Sequence, residues 1–182
     1  MKKNLFLIFG LVYCVIGEFV ALDFKTVPSV APVKFSITKD NGEVVSGVFI
    51  KLNGINYFDP DDLKGSYFKD TVELNSINTG IGQRDDHLLN ADYFEASTYP
   101  FMIFNSTKIE KNGEKFKATG TLTIKGKSKE TIIDFVCDKS SVTPILKANF
   151  VINRTFFGVG YPAGDGAGEE VRVELNIPVN VF

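Results

Sequence analysis

The sequence predicts an all-β fold, an antiparallel barrel in one domain, and three observations carry that reading. Beyond an apolar start, segment upon segment alternates apolar and polar residues at period two and stops at Gly, Asn, Asp or Pro, the pattern of half-buried antiparallel strands. Short links join sequential strands, which favours an up-and-down meander over a Greek key. The chain holds 17 Phe and no Trp; phenylalanine lines a core or a cavity without needing a hydrogen-bond partner, so the interior is expected to be dry. A length of 182 residues suits one sizeable core. Pattern alone admits a sandwich as well as a barrel, and the meander order with its Phe-rich face favours the barrel.

The first element is an export signal. Lys2 and Lys3 give a positive start, and the apolar stretch 5–16, broken only at Gly10, Tyr13 and Cys14, is shorter than the ~20 residues of a membrane-spanning helix. The signal is expected to cover residues 1–17, with Ala21 a second cleavage point, leaving 18–182 as the barrel domain with no integral membrane span. Tyr13 is too large for the position before a lipidated cysteine, so Cys14 is not expected to carry a lipid anchor. Losing Lys2 and Lys3 takes the formal net charge from −2 to −4, a sign that favours neither nucleic acid nor an anionic membrane surface. The mature chain keeps Cys137 alone, inside an apolar strand, where it reads as a buried structural thiol.

The strands follow in order. Val33, Phe35 and Ile37 alternate up to Lys39-Asp40-Asn41-Gly42, a hairpin signal, and 44–52 returns. Asn53-Gly54 breaks the pattern, and Pro60 suggests one helical turn in the connection 57–63. Phe68, Val72 and Leu74 mark a strand over 67–77. Residues 84–94 change period: Leu88, Leu89, Ala91 and Phe94 suit one short helix. Strands then resume at 101–109, 115–124, 130–137, 146–153 and 170–182, the first three joined by Lys111-Asn112-Gly113 and Lys125-Gly126-Lys127.

Candidate chemistry is sparse. Arg84-Asp85-Asp86-His87 contains the only His, and nothing is spaced to complete a nucleophilic triad; Arg84 reads as a tie between helix and barrel rim, and Asp85 or Asp86 as a helix cap. Asp59, Asp61 and Asp62 lack the Gly and closing Glu of a calcium loop, so no metal is expected. Gly158, Gly160, Gly164, Gly166 and Gly168 lack the strand-Gly-helix order of a phosphate loop and read as a mobile connection before the last strand. The strand faces carry the functional reading. Phe35, Phe49, Leu74, Phe104, Leu122, Phe135 and Phe150 are expected to point inward as cavity lining or as ordinary core, and Arg84, Asp85, His87 and Arg154 to stand at the mouth.

One resemblance spans nearly the whole mature chain. Its motifs are Gly47-Val48-Phe49, Phe58-Asp59-Pro60-Asp61-Asp62-Leu63, Ser76-Ile77-Asn78-Thr79-Gly80, Arg84-Asp85-Asp86-His87-Leu88, Tyr93-Phe94-Glu95-Ala96 and Tyr99-Pro100-Phe101-Met102-Ile103-Phe104-Asn105-Ser106. Gly120-Thr121-Leu122-Thr123-Ile124-Lys125-Gly126, Asn153-Arg154-Thr155-Phe156-Phe157-Gly158-Val159-Gly160 and Glu169-Glu170-Val171 continue them. In that order they resemble the YceI-like family of exported, lipocalin-like, polyisoprenoid-binding proteins. The resemblance implies an eight-stranded antiparallel barrel holding a long isoprenoid or similar amphiphile of quinone or polyprenyl type, for storage or transport in the periplasm or outside the cell. It implies no catalysis and no cofactor beyond the lipid. Where the family's opening strand often carries a His-Ser pair, this chain has Pro28-Ser29-Val30-Ala31-Pro32, a departure at the first strand and one rim. Two other readings stay open: an enzyme using Asp85 and His87 at the mouth, and a solidly packed interaction module. The residues also leave open a homodimer formed through an exposed final strand.

Overall fold

The computed structural model describes residues 32–140, 143–161 and 166–179. The expected signal 1–17, the segment 28–31 and part of the glycine-rich connection, 162–165, lie outside the described residues. The strands are β1 (Val33–Lys39), β2 (Val44–Phe49), β3 (Leu52–Tyr57), β4 (Tyr67–Glu73), β5 (Ile77–Asn78), β6 (Phe101–Asn112), β7 (Lys115–Ile124), β8 (Lys127–Asp138), β9 (Ile145–Asn153) and β10 (Ala167–Pro178), with helix α1 (Gly82–Leu89) between β5 and β6. They form one antiparallel sheet in the order β3-β4-β6-β7-β8-β9-β10-β1-β2-β5. From β6 to β10 each strand pairs with its sequence neighbour, as the short links required.

Ten strands stand where eight were expected, and the reason is local. The run 44–57 is broken at Ile50 and Lys51, and the run 67–78 is broken by a 3₁₀ turn, Leu74–Ser76. The breaks face each other and are stitched: Lys51 N–H donates to Ser76 Oγ (3.1 Å), Ile50 N–H to Ser76 O (3.2 Å) and Glu73 N–H to Lys51 O (3.1 Å). Because β2 pairs with β5 while β3 pairs with β4, the two ends of the sheet meet through residues 50 and 51, and the sheet curls into a barrel. The strand missed by sequence was β3, where Asn53-Gly54 looks like a breaker. Gly54 is instead demanded by packing, since a Cβ there would collide with Asp70 Oδ1 on the paired strand.

Other expectations shift by smaller amounts. The helix occupies Gly82–Leu89 and stops at Asn90; residues 90–94 fold into turns, with Phe94 N–H donating to Leu88 O and Tyr93 N–H to Asn90 O. Near Pro60 there is a turn and no helix, closed by Asp62 N–H to Asp59 O and by Asp59 Oδ1 accepting from Asp61 N–H. The expected final strand is flanked by β9 as far as Pro178 and by β1 as far as Leu175.

Packing divides the interior. At the end opposite α1, Phe58 is fully buried and meets Phe116 and Phe135 edge to face at 5.0 and 5.3 Å, and Phe68 meets Phe135 at 5.3 Å. With Leu146 and Ile177 these rings form a solid plug. A seam opens at the other end. The β8–β9 ladder runs from Asp138↔Ile145 to Phe135↔Ala148 and stops, although β8 stays paired with β7 down to Lys127 and β9 with β10 up to Asn153.

Candidate ligand cavity

Between the plug and α1 the barrel encloses a cavity of about 320 Å³. Its walls come from alternate residues of the strands, as the pleat dictates, and α1 with the segment to Phe94 covers it by Leu88, Tyr93 and Phe94. Phe35, Phe49, Phe104, Leu122 and Phe150 line it. Leu74 and Phe135 do not. Leu74 falls in the 3₁₀ turn, where strand alternation lapses, and is fully buried against Val72, Ile77 and Ala96. Phe135 faces inward but at the depth of the plug.

Of the residues expected at the mouth, Arg84, His87 and Arg154 border the cavity and Asp85 does not. Asp85 is buried, and its Oδ1 accepts from Thr79 N–H (2.9 Å) and Thr79 Oγ1 (2.6 Å). It therefore secures the loop before α1 and does not cap the helix, whose N-cap position is Ile81. Arg84 joins the same cluster, donating from Nε to Thr79 Oγ1 (2.8 Å) and from Nη2 to Thr79 O (2.7 Å). Arg154 is buried and clamps the connection before β10: Nε donates to Gly168 O, Nη1 to Val159 O and Nη2 to Ala167 O, each at 2.8 Å. His87 packs its ring against the edge of Tyr93 at 5.1 Å. Among the described residues no group of three or more His, Cys, Asp or Glu could hold a metal, and no helix is long and apolar enough to cross a membrane.

Sequence reasoning passed over one polar wall residue. Asp70 lies on β4 between the buried Phe68 and Val72, at an inward position. It borders the main cavity and a smaller void of about 40 Å³ beside the plug. Asn56 Nδ2 donates to its Oδ1 at 2.7 Å. Burial pushes the Asp70 carboxyl above its ordinary range, and the Asn56 hydrogen bond partly opposes that shift. The signal was available, since the alternation Phe68, Asp70, Val72 puts a carboxyl on an apolar face.

Comparison with known proteins agrees with this geometry. A family model described as YceI-like domain matches residues 24–179. Protein YceI of Escherichia coli O157:H7 is 31% identical over 137 residues, covering 74% of this chain and 72% of that protein. The crystal structure of Burkholderia cenocepacia BcnA superposes with a TM-score of 0.73 at 26% identity, covering 81% of this chain and 96% of BcnA. A polyisoprenoid binding domain from Saccharophagus degradans, implicated in plant cell wall breakdown, superposes at 0.56 with 16% identity over 79% of this chain and 90% of that domain, a likeness of fold alone.

Proposed function

The chain belongs to the YceI-like domain family, and from that premise we propose that it is an exported binding protein which holds a long isoprenoid or similar amphiphile in its barrel, for storage or transport in the periplasm or outside the cell. The observation that carries this reading is the cavity. About 320 Å³ of space is walled by aromatic and aliphatic side chains and bordered by few polar ones, the construction of a site for an apolar molecule with a small polar part. Each CH₂ buried there contributes about 0.8 kcal/mol, so a long chain accumulates affinity without any reacting group. Arg84 and Arg154 are occupied in holding loops, and the family and the polyisoprenoid-binding neighbour point to binding. The expected signal 1–17 supports export.

The test is an organic extract of the protein, expressed with its own leader and purified without added lipid or detergent, analysed by mass spectrometry beside an unrelated protein. A stoichiometric polyprenyl or quinone species is expected. Folded, monodisperse protein that carries no lipid and refuses added isoprenoids overturns the reading.

A further inference from the structure

A carboxyl group inside an apolar barrel is costly unless something uses it. Asp70 Oδ1 is engaged by Asn56, whose own Oδ1 accepts from Lys69 N–H at 3.1 Å, so Asn56 is fixed and aims its amide at the acid. Asp70 Oδ2 has no hydrogen-bond partner among the described residues, and Val72, Phe104, Ile133 and Leu175 line the main cavity together with Asp70. No cation faces it. The basic groups bordering the cavity, Lys39, Arg84, His87 and Arg154, belong to the hairpin and to the segments around α1 and before β10, while Asp70 also borders the void beside the phenylalanine plug. Gly54, opposite Asp70 on β3, leaves the carboxyl the room a side chain would take.

We infer that Asp70, positioned by Asn56, is a ligand-binding residue that hydrogen-bonds an oxygen group carried on the apolar ligand, and so selects chains with a carbonyl or hydroxyl oxygen over plain hydrocarbons. The inference rests on the proposed holding of an amphiphile in the barrel and adds which end of it goes in first: the oxygen-bearing head lies deep, near the plug, and the tail trails toward α1. With Asn56 donating to Oδ1, Oδ2 is the oxygen left for the ligand: a protonated Asp70 offers its proton there to a carbonyl or hydroxyl oxygen, and the carboxylate accepts there from a hydroxyl. A plain hydrocarbon leaves that group unpaired, which is the source of selectivity.

The experiment compares decylubiquinone with the hydrocarbon β-farnesene by titration calorimetry on the wild-type chain, Asp70→Val and Asp70→Asn, at about pH 3.5, where a carboxyl raised above the ordinary value of about 3.9 holds its proton. Asp70→Val is expected to weaken quinone binding about tenfold, the loss of one hydrogen bond, and to leave farnesene binding unchanged or tighter. Asp70→Asn, which keeps a donor, retains quinone affinity to within a few-fold. The infrared carbonyl stretch of ¹³C-labelled quinone should lie lower in the wild type than in hydrocarbon solvent. An unchanged quinone-to-farnesene affinity ratio in folded Asp70→Val overturns the assignment. So does a wild-type carbonyl stretch at its hydrocarbon value, a reading that needs no variant to fold. Wild-type protein that binds neither ligand removes the amphiphile-binding reading itself, and the role of Asp70 with it.

Discussion

Asp70 and Asp138 respond to pH with opposite sign. Lys147 Nζ donates to Asp138 at 2.6 Å and Ser140 adds further hydrogen bonds, which hold this half-buried carboxyl well below its ordinary range. Its stabilisation is present above the unfolded value of about 3.9 and is lost as pH falls through the depressed folded value. Asp70 is raised, so the folded state keeps its proton longer than the unfolded state does. That costs nothing below about 3.9, grows as pH rises from there to the raised folded value, and persists above it. Urea midpoints should therefore show Asp70→Asn gaining on the wild type as pH rises through that window and keeping the gain above it, and Asp138→Asn losing its deficit in acid. A gain for Asp70→Asn that is the same at every pH would contradict the assignment. The phenylalanines show how far alternation reads. Period two placed Phe35, Phe49, Phe104, Phe150 and Phe135 on the inner face, yet it carries no information on depth along the barrel, and only depth separates Phe135 in the plug from the others in the cavity wall. Phe135→Ala should cost about 3–5 kcal/mol of stability while sparing affinity for a bound amphiphile. Phe150→Ala, at a half-buried wall position, should cost less stability and more affinity; denaturant melts and calorimetry on the two variants distinguish these outcomes.

Strands as units were legible where their faces differed and illegible where pairing decided. β7, β8 and β9 were each read to within a few residues, but nothing in their sequences says that β8 and β9 part after Phe135↔Ala148. Ile132 and Val151, which would oppose each other had the ladder continued, lie on the outer face of the pleat, 55% and 49% exposed. β3 escaped notice because its Gly54 answers to the carboxyl of a neighbouring strand, a constraint that local propensity does not contain. Backbone amides that point into an unzipped seam have only water as a partner and open without breaking a ladder. Hydrogen exchange resolved by residue should find the seam-facing amides of 128–134 and 149–153 exchanging at least tenfold faster than those facing β7 and β10. Uniform protection along β8 would show that the two strands close in solution.

At the scale of the molecule, composition announced a dry, phenylalanine-rich interior and could not say whether it was hollow, because the same residues fill a core or line a void. The barrel does both: Phe58, Phe68, Phe116 and Phe135 close one end, while Phe35, Phe49, Phe104 and Phe150 surround space at the other. On the proposed reading stability and binding belong to different halves, and a substitution that narrows the hollow should separate them. Leu122 lines the cavity from β7 with its side chain only partly buried, so Leu122→Trp can project an indole into empty volume, where added apolar contact offsets the strain of a larger ring. The variant should fold with a melting temperature at or above that of the wild type. A ligand that binds only the folded state stabilises it by about 2.7 kcal/mol at a concentration one hundred times its Kd. Wild-type protein should therefore melt several degrees higher with saturating decylubiquinone, and Leu122→Trp should show little or no shift. An equal shift in both proteins would show that the indole and the ligand do not compete for space, and would remove the wall around Leu122 from the binding site.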